Sequence, residues 1–268
     1  MANLLEGQTV VVTGGARGNG RGIALKAAEN GANVVIADIR EEPPEGEPTH
    51  VKISDEMDVE AAYVECDVTD LDDIEETLDV ADELGGVDAL VNNAGIFETA
   101  DDFFDATPED FHDVMNVNAM GPFFFSQRAA LRMLEQGEGG SIVNVASLNA
   151  RQGNGKAVVY SMAKAATKLM TYALAQRLGR TGIRVNAIHP GTIETPMTAG
   201  VPDEMMERFL EHVPQGRLGQ PDDIAGPAVF LASDYASFVN GESITVDGGY
   251  ASGGGITVPF DFYPDPLE

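Results

Sequence analysis

Tyr160 and Lys164 stand four residues apart in the stretch YSMAK. Four residues is close to one turn of α-helix, so the phenol and the ammonium would share a face. A tyrosine alone is a poor base, because its phenol ionises near ~10. A cation a few ångströms away stabilises the phenolate, and the pair is expected to lower that value and to act as a general base near neutral pH. The plain alternative is a partly solvated helix face.

A second stretch suits a different task. TGGARGNG, residues 13–20, follows an apolar β-branched run and opens a helical one. Glycines let backbone approach a pyrophosphate, and a helix N-terminus offers free N–H groups and positive potential to an anion. Asp38 ends the next such run, VVIAD, 18 residues after Gly20. A carboxylate there accepts hydrogen bonds from ribose hydroxyls and repels a 2′-phosphate, which favours NAD over NADP. Arg17 and Arg40 pull the other way, since either could reach such a phosphate. Taken singly, each feature is also what an ordinary turn looks like.

These residues need a frame. TVVVT (9–13), NVVIA (33–37), AYVEC (62–66), DALVN (88–92), SIVNV (141–145), RVNAI (184–188) and SITVD (243–247) read as strands covered on both faces. Helical patterns fall near 20–30, 70–84, 108–136, 158–178, 203–212 and 222–233. Strands alternating with helices predict an α/β fold: one doubly wound parallel sheet of about seven strands with helices on both faces. One domain over residues 1–250 is expected, followed by a tail, 251–268, whose aromatic residues suit docking on a neighbouring subunit. Pro43, Pro44 and Pro48 argue against a regular crossover helix in the segment 40–60.

Composition narrows the function classes. The chain has 268 residues, 43% of them apolar, and carries 44 acidic against 16 basic residues, a formal charge of −28. Such a surface repels nucleic acid and anionic lipid, and neither is expected as a partner. It also repels itself unless salt shortens the screening length to about 3 Å. Many carboxylates, only five lysines and one cysteine are similar to the cytoplasmic proteins of salt-accumulating halophiles. No run is long and apolar enough to span a membrane, and the first residues lack the pattern of a signal peptide. Cys66, the single cysteine, excludes an internal disulfide, fits a reducing cytoplasm and reads as a small buried residue at a strand end. The four histidines and this cysteine form no metal-ligand spacing, so no metal is expected.

In their order and spacing, TGGARGNG, CDVTD (66–70), NNAG (92–95), NVNAMG (116–121), Ser147, YSMAK, HPGTIETP (189–196), GRLGQPDDIAGPAVFLASD (216–234) and VDGGY (246–250) resemble the short-chain dehydrogenase/reductase family. The resemblance runs from Thr9 to about Tyr250. It implies that Gly14, Gly18 and Gly20 shape the cofactor loop, with the backbone of Gly14, Gly15, Ala16 and Arg17 beside phosphate and ribose. Asp67 and Val68 would border the adenine, and Asn93 would sit beside the cofactor. Pro190, Gly191, Ile193 and Thr195 would hold the nicotinamide end. Tyr160 would be the acid/base. Lys164 would also hold the nicotinamide ribose, Ser147 would bind the substrate oxygen, and Asn118 would anchor a proton-relaying water. Asn19 departs from the family, which has an apolar residue between the last two glycines. The Pro-rich segment departs too, in place of a helix the family usually has.

The implied activity is reversible alcohol–carbonyl oxidoreduction of a small molecule with NAD. Substrate choice is expected from Ile96 to Thr99, Leu148 to Asn154 and 194–212. Arg151 could grip a carboxylate, pointing to a sugar acid or hydroxy acid, or it could simply pair with a surface acid; neutral sugars and polyols stay open. A 3-oxoacyl-thioester reductase is the alternative activity, and a non-catalytic nucleotide sensor the alternative class. The resemblance also implies a homotetramer, with a dimer next, through the helices near 108–136 and 158–178.

Overall fold

A computed structural model describes residues 3–97, 100 and 102–253. The tail beyond Gly253, where docking on a neighbour was expected, lies outside the described residues, as do Glu98 and Thr99.

Seven strands form one parallel sheet: β1 Thr9–Thr13, β2 Asn33–Asp38, β3 Ala61–Glu65, β4 Ala89–Asn92, β5 Gly140–Val145, β6 Ile183–Pro190 and β7 Ser243–Val246, in the order β3-β2-β1-β4-β5-β6-β7. The order reverses between β1 and β4, so their C-terminal ends diverge and leave a crevice. Successive strand residues face opposite layers. Val10 and Val12 pack under the helices α1 (Gly18–Glu29) and α9 (Pro221–Ala232), whereas Val11 packs under α3 (Leu71–Glu83), α5 (Gly121–Gln136) and α7 (Val158–Leu178). Both layers are dry: Ile23, Ile36, Leu90, Phe125 and Ile142 are each at most 1% exposed. Each such side chain stabilises the fold by about 1.5–3 kcal/mol relative to exposure. The remaining helices are α2 (Thr49–Glu56), α4 (Pro108–Met115), α6 (Asn149–Gln152) and α8 (Asp203–Leu210).

Two elements differ from the sequence expectation. The Pro-rich segment does end in a helix, α2, with Pro48 as its N-cap. All three prolines precede it, where a missing N–H removes no helical hydrogen bond. Residues 108–136 are not one regular helix: a single π-helical turn, Asn116–Met120, separates α4 from α5. Pro122 cannot donate to the carbonyl of Asn118 four residues back, and the Thr167 hydroxyl donates to that oxygen instead, at 2.7 Å. The widened turn carries Asn118.

Candidate active site

The crevice holds a cavity of about 520 Å³, within the range of small-molecule and cofactor sites. Its cofactor half begins at α1. In this acid-rich chain α3, α4 and α9 all carry two acidic residues in their first turns; Asp70 and Thr107 cap α3 and α4 with side chains, and at α9 the Asp223 carboxylate accepts from Gln220 N–H at 2.7 Å. By contrast, α1 has no acidic residue in its first turn and no side-chain cap at Arg17. Its N–H groups are thus left for an outside anion. The loop is closely packed: a Cβ on Gly20 would lie 2.0 Å from the Gly14 carbonyl oxygen. The Asn93 Nδ2 donates to the Thr13 and Gly14 carbonyls at 2.9 and 3.1 Å, tying β4 to the loop. Gly14, Arg17, Gly18, Asn19, Asp38, Asp67, Val68, Asn93, Pro190, Gly191, Ile193 and Thr195 line the cavity, whereas Gly15, Ala16 and Gly20 do not.

Asp38 is 6% exposed, and its Oδ2 accepts from Ala16 N–H at 3.1 Å and its Oδ1 from Arg40 N–H at 3.3 Å. The carboxylate is thereby fixed between loop and strand while still facing the cavity. Arg17 also lines the cavity, and Arg40 does not. The oxygen Oδ1 of Asn19 is buried without a hydrogen-bond partner. The bare helix terminus, the glycine packing and the acid beyond β2 fit a nicotinamide dinucleotide.

The chemical half lies at the ends of β5 and α7. Ser147 follows β5, and its side chain hydrogen-bonds Tyr160. Tyr160 is 8% exposed, with the Phe97 ring tilted against it at 5.1 Å. Lys164 is 4% exposed; its Nζ donates to the Val145 carbonyl at 3.0 Å and lies 5.7 Å from the Tyr160 ring centroid. Asn118 donates from Nδ2 to the Ile96 and Val114 carbonyls, each at 2.9 Å, and its buried Oδ1 has no partner. A Cβ on Gly95 would lie 2.6 Å from that Oδ1 and 3.3 Å from Lys164 Nζ. Only glycine lets both groups approach the same spot.

The electrostatics correct one expectation. The lysine was expected to lower the tyrosine, but burial pushes the Tyr160 phenol above its ordinary value, opposed only in part by the Ser147 hydrogen bond. Burial also brings Lys164 down to about 8. The low-dielectric surroundings disfavour phenolate and ammonium alike. At neutral pH the phenol keeps its proton, the form that donates to a carbonyl oxygen.

The substrate rim also departs from expectation. Arg151 is absent from the cavity lining; it sits on the single turn of α6 and its Nη1 donates to Thr245 on β7 at 2.5 Å. Ile96, Phe97, Pro196, Met197 and Thr198 line the rim instead, all but Thr198 with apolar side chains. Sequence reasoning overlooked Thr49, whose buried hydroxyl lies 3.0 Å from the Gly15 carbonyl and accepts from Arg21 Nη1 at 2.9 Å, bracing the loop. No local signal marks it. Cys66, 1% exposed, also lines the cavity, and burial raises its thiol to about 11. Among the described residues no group of three or more His, Cys, Asp or Glu side chains could hold a metal ion.

Comparison with known proteins points the same way. A family model described as enoyl-(acyl carrier protein) reductase matches residues 14–251. The L-rhamnose 1-dehydrogenase (NAD(P)(+)) of Azotobacter vinelandii is 42% identical over 252 residues, 92% of this chain and 97% of that protein. The 3-oxoacyl-[acyl-carrier-protein] reductase FabG of Thermotoga maritima is 39% identical over 91% of this chain and 98% of its own length. A solved structure of a candidate 2-deoxy-D-gluconate 3-dehydrogenase from Agrobacterium tumefaciens, with bound NADP, superposes with a TM-score of 0.84 at 36% identity, covering 93% of this chain and 98% of that one.

Proposed function

The chain belongs to the short-chain dehydrogenase/reductase family of NAD(P)-dependent enzymes acting on CH–OH groups, and on that premise we propose that it interconverts a secondary alcohol of a neutral sugar or polyol with the corresponding carbonyl, using NAD. The observation that carries this reading is the Ser147–Tyr160 hydrogen bond above an almost fully buried Lys164, at the mouth of a dinucleotide-sized cavity.

A bound nicotinamide supplies the hydride acceptor or donor. Ser147 holds the substrate oxygen and orients it. Tyr160 gives that oxygen a proton in reduction and takes it in oxidation. Lys164 steadies the phenolate during oxidation, and Asn118 Oδ1 receives a water that passes the proton onward to solvent. Asp38 underlies the choice of NAD: its fixed carboxylate opposes a 2′-phosphate. Arg17 on the cavity wall works against that preference, and the relatives include proteins that use or bind NADP by name.

The neutral substrate follows from the rim. With Arg151 turned to Thr245, the only basic side chains lining the cavity are Lys164 on its floor and Arg17 at the cofactor loop, among the described residues. Neither is placed to hold a substrate carboxylate, whereas Phe97 offers an aromatic face to the C–H side of a sugar ring. The relative from Azotobacter, named for a neutral sugar, fits this reading. The relative from Thermotoga supports a second reading, a 3-oxoacyl-thioester reductase. The test is NADH absorbance in molar KCl over neutral sugars, sugar acids and 3-hydroxyacyl thioesters. Highest kcat/KM on a neutral sugar is expected; a preference for the acids or the thioesters would replace the substrate assignment.

We also propose a homotetramer, built from dimers, in the cytoplasm of a salt-accumulating cell. Phe123, Leu131 and Leu134 on α5 and Met162 and Leu169 on α7 are all more than 40% exposed, an apolar face suited to a second copy. Light scattering at high salt tests the assembly. The formal charge of −28 supports the salt requirement.

A further inference from the structure

His189, near the end of β6, is wholly buried, and nothing in the reaction described above uses it. Its Nδ1 lies 2.8 Å from the Ser147 carbonyl oxygen. A carbonyl oxygen can only accept, so Nδ1 carries the proton and donates. Nε2 is then the unprotonated nitrogen, and it is buried without a hydrogen-bond partner. Burial holds the imidazole below its ordinary value, and Lys168, Arg151 and Lys164 all disfavour a second proton. The tautomer is therefore fixed.

The contact falls at a sensitive place. Ser147 is where the chain leaves β5 and turns into α6. Around it, Ala146 N–H donates to the Ile188 carbonyl at 2.8 Å and Leu148 N–H donates to the Pro190 carbonyl at 3.1 Å. The second of these lies in the same peptide unit as the Ser147 carbonyl, and that carbonyl also accepts from Ala150 N–H at 3.0 Å. On the side-chain side, Ser147 Oγ accepts from Asn149 N–H at 3.1 Å and hydrogen-bonds Tyr160. The imidazole is the side-chain donor to the carbonyl of Ser147, and it joins these backbone bonds in tying to β6 the peptide plane from which the hydroxyl is aimed. Pro190 and Gly191, directly after His189, line the cavity, so one strand end sets both the nicotinamide wall and the serine.

We propose that His189 is a positioning residue for Ser147, donating from Nδ1 to the serine carbonyl and so fixing where the hydroxyl meets the substrate oxygen. The inference rests on the role given to Ser147 above. Two substitutions separate it from a packing role. In His189→Asn the amide Nδ2 occupies nearly the place of Nδ1 and can make the same bond. In His189→Gln the amide lies one atom further out, near the place of Nε2, and cannot. Crystal structures of both variants read the geometry without any substrate: Ser147 Oγ should stay within hydrogen-bond distance of Tyr160 in His189→Asn and leave it in His189→Gln. Kinetics in molar KCl with L-rhamnose as probe should show kcat within about threefold of the parent for His189→Asn and about tenfold lower for His189→Gln, with the NADH dissociation constant unchanged in both. In a Ser147→Ala background the His189→Gln loss should vanish. An unmoved Ser147 in His189→Gln, equal losses in the two variants, or the same loss with and without the serine would overturn the proposal. A parent enzyme inactive on L-rhamnose would count against the substrate reading alone, because the crystallographic outcome still decides the role of His189.

Discussion

Lys26 and Lys164 are the same residue in opposite surroundings. Lys26 lies on the outer face of α1, where its Nζ is 2.8 Å from both Glu29 and Asp222, and those carboxylates, Asp222 first, raise its pKa. Arg132 is similar: Glu75, Asp79 and Asp82 surround it, and its pKa too is raised. Lys164 sits on the cavity floor with a backbone carbonyl as its hydrogen-bond acceptor, and burial brings it down to about 8. In a chain with 44 acidic residues, leaving a buried ammonium without a carboxylate is a specific arrangement. It destabilises the fold, since a charge removed from water without a counter-ion is unfavourable. A carboxylate beside Lys164 would remove that penalty, but it would also neutralise the positive potential that a phenolate at Tyr160 requires. The outside of the molecule uses cations to hold elements together; the floor keeps one for proton chemistry.

The contrast can be broken most severely at the phenol. Tyr160→Phe should lower kcat by about 10³-fold, in a spectrophotometric assay, with NADH binding by fluorescence nearly unchanged. Retained turnover would remove Tyr160 from the mechanism. Lys164→Met should lower kcat by about 10²-fold, whereas Lys26→Met, which removes only the surface ion pairs to Glu29 and Asp222, should leave it unaltered. Asp38→Ala should reduce the ratio of NADP to NAD dissociation constants by about tenfold, read by titration calorimetry. An unchanged ratio would mean that Arg17, not Asp38, governs cofactor choice. The smallest effect is expected at the rim. Arg151→Ala should change kcat/KM by less than about twofold for neutral and acidic substrates alike, because its guanidinium is engaged with Thr245.

Much of this was legible because it is local. The β-branched runs gave the strands, TGGARGNG gave the first turn of α1, and the spacing of Tyr160 and Lys164 placed both on one side of α7. What escaped depended on residues far away in sequence. The π-turn at Asn118 follows from Pro122, but it persists because Thr167 satisfies the freed carbonyl. Arg151 misses the cavity because Thr245, on β7, takes its guanidinium. The prolines of the 40–60 segment have the look of helix breakers, yet Pro48 caps a helix that sets Thr49 against the cofactor loop. The direction of the tyrosine shift was misjudged for the same reason: proximity of Lys164 shows in the spacing, but the depth at which both groups lie does not.

The floor's unmatched ammonium is tested most directly by equilibrium unfolding of the parent and Lys164→Met in molar KCl between pH 7 and 10.5. A lysine whose folded pKa is about 8, against 10.5 for the ordinary group, binds its proton more weakly in the folded state, so its penalty is full below about 8 and fades as pH rises toward 10.5. Lys164→Met should therefore be more stable than the parent at pH 7, by about 1–3 kcal/mol after losing the bond to Val145, and the difference should shrink steadily above pH 8. A parent at least as stable as the variant at pH 7, or a difference that ignores pH, would contradict the account.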